Sequence, residues 1–171
     1  MIHDYVSTKT KNDKKLFYSK TNKMIQKKII LSILIVLFQM NLIFAQGWQL
    51  DLNEAQKKAQ SENKPIILVF SGSDWCGPCI KLDKQIWKSQ EFIDYANENY
   101  ILLRADFPRK KDNKLTEQQQ KKNYQLAEKY NTEGYFPLVI VMDKNLVILG
   151  KTGYKQMTPT EYIDHLNSFI N

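Results

Sequence analysis

The sequence predicts an α/β domain, a central mixed β-sheet with helices on both faces. Three observations predict it. Segments with apolar residues at helical spacing alternate with short continuous apolar runs. The alternation closes on two apolar runs joined by the three-residue turn "DKN", a hairpin in an order otherwise built from crossovers. No repeat, linker or break in composition interrupts residues 46–171, so they read as one domain in the order α-β-α-β-α-β-β-α.

Each element has its own signal. "LDLNEAQKKAQS" (50–61) spaces Leu52, Ala55 and Ala59 by three and four, and Asn63 and Pro65 then end the helix. "PIILVF" (65–70) is an apolar run bounded by turn signals, as expected of a strand buried on both faces. "CIKLDKQIW" puts Cys79, Leu82 and Ile86 on one helical stripe, and "SQEFIDYANEN" adds a helical segment with Ser89 as its cap. "YILLRA" (100–105) is the second strand and "FPRKKDNKLT" (107–116) a polar loop. The next helix opens with Thr116 and Gln119 in capping-box spacing. "PLVIVM" and "LVILG" form the hairpin. In the last helix Thr158 caps, Pro159 takes the first position and Glu161 completes a second box.

The chain has 171 residues, 43% hydrophobic and 25% charged, a globular composition. Ahead of the domain, Lys27 and Lys28 precede an apolar run from Ile29 to Phe38, and Ala45 offers a small residue for cleavage. These are the parts of an export signal, so residues 24–45 are expected to be a signal peptide cleaved after Ala45, and the domain to act outside the cytoplasm, in a periplasm. Two alternatives stand beside it. A buried helix is opposed by apolar residues on every side of the run. An uncleaved anchor would use the 17 residues from Ile29 to Ala45 against the about 20 of a spanning helix, weakened by Gln39 and Asn41. Residues 1–23 are polar and lysine-rich, either a leader or the product of a start placed upstream of Met24.

Charge follows the same division. The net charge of +7 suggests an anionic partner, but eight of the 25 basic and two of the 18 acidic residues precede Gln46. The remaining 17 basic and 16 acidic residues leave a net +1, and nucleic acid is not expected as a partner.

The chemistry concentrates in "SDWCGPCIKL", which holds both cysteines, Cys76 and Cys79. Zinc needs four ligands, and the histidines are only His3 and His165, so no metal is expected. A cross-link enclosing two residues stabilises little. Reversible thiol chemistry remains. Cys76 stands at the start of a helix, where free N–H groups and the dipole stabilise a thiolate, and Cys79 is one turn on. Cys76 is the expected nucleophile and Cys79 the resolving thiol. Pro78 has no N–H and suits a first helical turn, and Gly77 leaves Cys76 accessible.

"WCGPC" after a buried strand, with "YFPLVIVM" about sixty residues downstream, resembles the thioredoxin family. The similarity extends over residues 48–171 and implies the thioredoxin fold, thiol–disulfide oxidoreductase activity and no cofactor beyond the redox-active Cys76–Cys79 pair. It implies further that Pro137 is a cis proline beside the disulfide, that Phe136 before it tunes substrate choice, that Gly153 in "KTGY" lets a partner approach, and that Trp75 shields the pair and contacts partners. "KPIILVF", "DWC" and "LLRAD" are closer to the thioredoxin-like domains of exported reductases, including the C-terminal domain of DsbD-type proteins, than to cytosolic thioredoxin. One position departs: where the family commonly has a buried acid six residues before the first cysteine, this chain has Phe70.

Other residues have plainer expectations. Trp48 and Trp87 are packing residues, His165 is exposed, and the cations Arg109, Lys110, Lys111 and Lys114 are a solvated face before they are a site for an acidic partner. Asp74 either caps the active-site helix or faces solvent. The expected function is an exported oxidoreductase that reduces protein disulfides with electrons from an unidentified donor, a membrane reductase being one candidate. The rivals are a binding module using the Trp75, Pro137 and Gly153 surface, and a membrane-anchored carrier with one dedicated partner.

Overall fold

The structure, a computed structural model, describes residues 47–170. The expectations for residues 1–23, the signal segment 24–45 and cleavage after Ala45 lie outside the described residues. Helix α1 is Leu52–Glu62, strand β1 Ile66–Ser71, helix α2 Gly77–Leu82 continuing into a π-helical turn Asp83–Trp87, helix α3 Gln90–Asn99 and strand β2 Ile101–Asp106. A 3-10 turn at Lys111–Asn113 precedes helix α4 Glu117–Tyr130, strands β3 Leu138–Met142 and β4 Ile148–Thr152, and helix α5 Pro159–Asn167.

The four strands lie in the order β2-β1-β3-β4. β1 pairs parallel with β2, Ile66 opposite Ile101 and Ser71 opposite Asp106. It pairs antiparallel with β3, Leu68 opposite Ile140, and β3 pairs antiparallel with β4. A parallel pair requires a crossover, supplied here by α2, the π-helical turn and α3. β1 and β3 are buried at every position, as central strands covered on both faces must be.

Alternation along β1 divides the core in two. Ile67 and Val69 point to a cluster with Leu82, Ile86, Trp87, Phe92 and Tyr162 from the α2, α3 and α5 side. Ile66, Leu68 and Phe70 point to a second cluster with Ala55, Ala59, Leu126 and Tyr130 of α1 and α4. Each large side chain so buried contributes about 1.5–3 kcal/mol. Trp48 and Trp87 are packing residues as expected, edge to face at 5.7 Å, and Arg104 lies 4.1 Å over the Trp48 ring.

Local chemistry sets the element ends. Ser89 accepts the Phe92 N–H, and Thr158 and Glu161 form the reciprocal box with Pro159 inside it. Four expectations are corrected. Thr116 caps α4, but Gln119 does not reach back to it: its amide donates to Leu50 O at 2.9 Å and to Asn123 Oδ1 at 2.8 Å, tying the segment before α1 to α4. α1 begins after Asp51, whose carboxylate accepts from the N–H groups of Asn53 and Glu54. β4 begins at Ile148 rather than Leu146, because Asp143 accepts from Asn145 and Val147 N–H and draws Leu146 into the turn at φ 67°. His165 is half-buried, its Nε2 2.9 Å from Thr152 Oγ1.

Candidate active site

β1 ends at Ser71, and the chain turns through Gly72 to Trp75, with Gly72 O accepting from Trp75 N at 3.2 Å and Cys76 N at 2.9 Å. Gly72 is required by packing: a Cβ there would stand 2.4 Å from the Trp75 indole. The turn delivers Cys76 in extended conformation as the N-cap of α2. Its Sγ accepts the Cys79 N–H at 3.2 Å, the place a serine or aspartate oxygen would take at an ordinary cap. Pro78 sits in the first turn, where its missing N–H has no helical partner to lose.

Cys76 and Cys79 are joined as a disulfide with Cα atoms 5.2 Å apart. They are 5% and 3% exposed, whereas Gly77 and Pro78 are exposed, so partners reach the bond from the helix tip. Ser71, Asp83 and Arg104 line one crevice with Cys79. Asp83 pairs with Arg104 at 3.0 Å and Lys88 at 2.5 Å. Phe70 is buried in the α1 and α4 cluster.

The other expected site residues form a chain of contacts leading away from Cys76. Trp75 packs edge to face on Phe136, centroids 5.4 Å apart. Phe136 precedes Pro137 through a cis peptide bond. Gly153 lies against Pro137, since a Cβ on it would be 3.1 Å from Pro137 O. The Gly153 carbonyl is held by the Tyr162 hydroxyl at 2.8 Å, whose own ionisation burial pushes up.

Asp74 does not cap the helix, and at the surface its carboxylate has partners of its own. Cys76 is the cap, and the Asp74 carboxylate accepts from Arg109 N at 2.9 Å, Lys110 N at 2.9 Å and Asn113 Nδ2 at 3.0 Å. The Arg109 N–H foremost holds its carboxyl below the usual range. Beside it, Trp75 Nε1 donates to Phe107 O at 2.7 Å, and the Arg109 guanidinium lies 3.8 Å over the indole. Asp106, at the end of β2, accepts from Ser73 N and Ser73 Oγ. The loop after β2 is thus fastened to the residues just ahead of Cys76. Sequence reasoning missed Phe107 and this use of Asp74, since the partners lie more than thirty residues apart without any periodic signal, and it missed Gly72, whose role is set by how the Trp75 indole folds back over it.

The chain matches the Thioredoxin-like family model over residues 47–144. It is 35% identical over 117 residues to the disulfide bond reductase DsbH of Chlamydia pneumoniae, covering 68% of this chain and 69% of that one. A shorter stretch of 60 residues is 37% identical to the thioredoxin-related protein DsbJ of the same organism, 35% of this chain and 17% of DsbJ. Among solved structures, a DsbH oxidoreductase superposes with a TM-score of 0.66 at 32% identity, over 72% of this chain and 83% of that one. A disulphide isomerase from Xylella fastidiosa Temecula1 shares the fold at 18% identity, with a TM-score of 0.53 over 70% of this chain and 88% of that one. The chain belongs to the thioredoxin-like family and is a thiol–disulfide oxidoreductase.

Proposed function

We propose that this protein is an exported reductase of protein disulfides in which Cys76 attacks and Cys79 resolves. The observation that carries the reading is the Cys76–Cys79 pair at the start of α2, Cys76 Sγ accepting the Cys79 N–H. That N–H stabilises negative charge on sulfur, and the thiolate is the nucleophile in exchange. In the reduced enzyme the Cys76 thiolate attacks one sulfur of a substrate disulfide, whose other sulfur leaves as a thiolate and takes up a proton. Cys79 loses its proton and attacks Cys76 Sγ, the mixed disulfide breaks, and the second substrate sulfur leaves as a thiolate that takes up a proton in its turn, the two protons being those given up by Cys76 and Cys79. Two electrons and two protons have moved to the substrate and the Cys76–Cys79 disulfide has closed. A dithiol donor, for which a membrane reductase is the proposed class, reopens it.

The reducing direction is supported by the Gly77-Pro78 dipeptide, which resembles that of reductants, and by the relative DsbH, which is named a reductase. Trp75, Phe136, Pro137 and Gly153 are proposed to receive the substrate segment, since they form one contact chain from Cys76. Export rests on residues 24–45 read as a signal peptide ahead of a domain at 46–171. Among the described residues no helix is long and apolar enough to cross a membrane.

The test is a trap. Cys79→Ser, reduced and mixed with a disulfide-bonded protein, is expected to accumulate a mixed disulfide on Cys76, resolved by dithiothreitol. Cys76→Ser is expected to form none. An adduct that forms equally well with Cys76→Ser contradicts the assignment.

A further inference from the structure

We infer that the loop Arg109–Lys114 and the cleft it borders select disulfide-bonded protein segments that carry an apolar side chain flanked by carboxylates. The inference rests on the reductase reading and adds which substrates it takes.

The loop concentrates charge. "RKKDNK" (109–114) contributes four cations against Asp112, a net +3, so the rest of residues 46–171 carries a net −2. All four cations are exposed, and among the described residues none of them is in an ion pair. A solvated face would not need to be held in place, but this loop is. Asp74 takes two of its backbone N–H groups and the Asn113 amide, and Trp75 holds Phe107 O, so the loop is anchored by the two residues preceding Cys76. The Asp74 carboxylate takes its hydrogen bonds from backbone N–H groups and an amide rather than from a cationic side chain; its charge acts on Lys110, and among the described residues Lys111 and Lys114 stay outside any ion pair.

The loop borders a cleft of about 370 Å³ lined by Trp75, Phe107, Tyr124 and Phe136, with Arg109 and Lys114 also in its wall. The rings pack edge to face, Phe107 standing 5.4 Å from Phe136 and 5.6 Å from Tyr124, so together they present an apolar surface. One carboxylate, Asp106, lines the cleft, and its oxygens are engaged by Ser73. An aromatic cleft walled by Trp75, the residue before Cys76, and bordered by cations outside any ion pair complements an apolar side chain with acidic neighbours.

The test uses the full chain and three substrates. Two are disulfide-linked peptides alike except that one has Phe with flanking Glu beside its cysteine and the other Phe with flanking Lys. The third, neutral bis(2-hydroxyethyl) disulfide, measures the chemistry, and each peptide rate is divided by it. The acidic peptide is expected to react about fivefold faster than the basic one at low salt, the scale of one or two exposed ion pairs. The advantage is expected to shrink toward parity at about 1 M salt, where screening acts over about 3 Å. Arg109→Glu/Lys114→Glu is expected to reverse the preference, and Lys114→Glu, whose side chain does not stack on Trp75, to abolish most of it. Equal rates for the two peptides, or a preference unmoved by Lys114→Glu, would overturn the inference and leave the reductase reading standing. Failure to turn over even the neutral disulfide would take both down. Sedimentation with phosphatidylglycerol vesicles that is lost in Lys114→Glu, without any peptide preference, would assign the cations to a membrane surface instead.

Discussion

The carboxylate of Asp74 accepts the backbone N–H of Arg109, 35 residues away, at 2.9 Å, and so joins the active-site turn to the loop after β2. The N–H donors lower its pKa from the ordinary carboxylate value. Its contribution is therefore complete above the unfolded value of about 4 and is lost as pH falls through the lower folded value. Asp74→Asn should lose less stability than the parent between about pH 5 and pH 2, when unfolding midpoints in urea are compared. Loop amides 109 and 110 should exchange hydrogen faster in the variant. An unchanged acid-side slope would show that the clamp does not hold in solution.

Gly72 leaves room for the Trp75 indole and nothing else. Gly72→Ala would place a Cβ 2.4 Å from that ring, so the indole must leave and with it the bond to Phe107 O. Overpacking of this kind costs about 1–3 kcal/mol. Urea unfolding together with a change in tryptophan emission would register both effects, and a stable variant with unaltered emission would refute the packing account.

Gly153 tests the substrate surface. Gly153→Val would press on Pro137 O, which a Cβ alone reaches at 3.1 Å. The rate on a protein disulfide is expected to fall about tenfold, equivalent to about 1.4 kcal/mol, with a smaller fall on a small disulfide. Equal losses on both substrates would point to a general disturbance rather than to partner approach.

Thr158 is a local matter. Thr158→Ala removes the side-chain acceptor for Glu161 N at the start of α5 and should cost about 1 kcal/mol in urea unfolding, with disulfide exchange rates unaffected.

What was legible in the sequence was what is local. The β1 run, the Ser89 cap and the Thr158 box depend on neighbours within four residues, and they stand where the pattern put them. The site followed the same rule, because Cys76 and Cys79 share one helical turn. The misplacements have long-range or competing partners. Gln119 had the spacing of a box but found a better acceptor in Leu50 O. Leu146 looked like strand until the Asp143 side chain claimed the turn around it. Asp74 had the position of a helix cap, and a loop 35 residues away engaged its carboxylate instead.

The most direct test of the central claim is the redox equilibrium of the Cys76–Cys79 pair against glutathione, followed by tryptophan fluorescence. The account predicts a midpoint near the about −270 mV of thioredoxin, which makes the protein a reductase in need of a donor. A midpoint near the about −120 mV of a strong oxidant would contradict it and make the same dithiol a donor of disulfides.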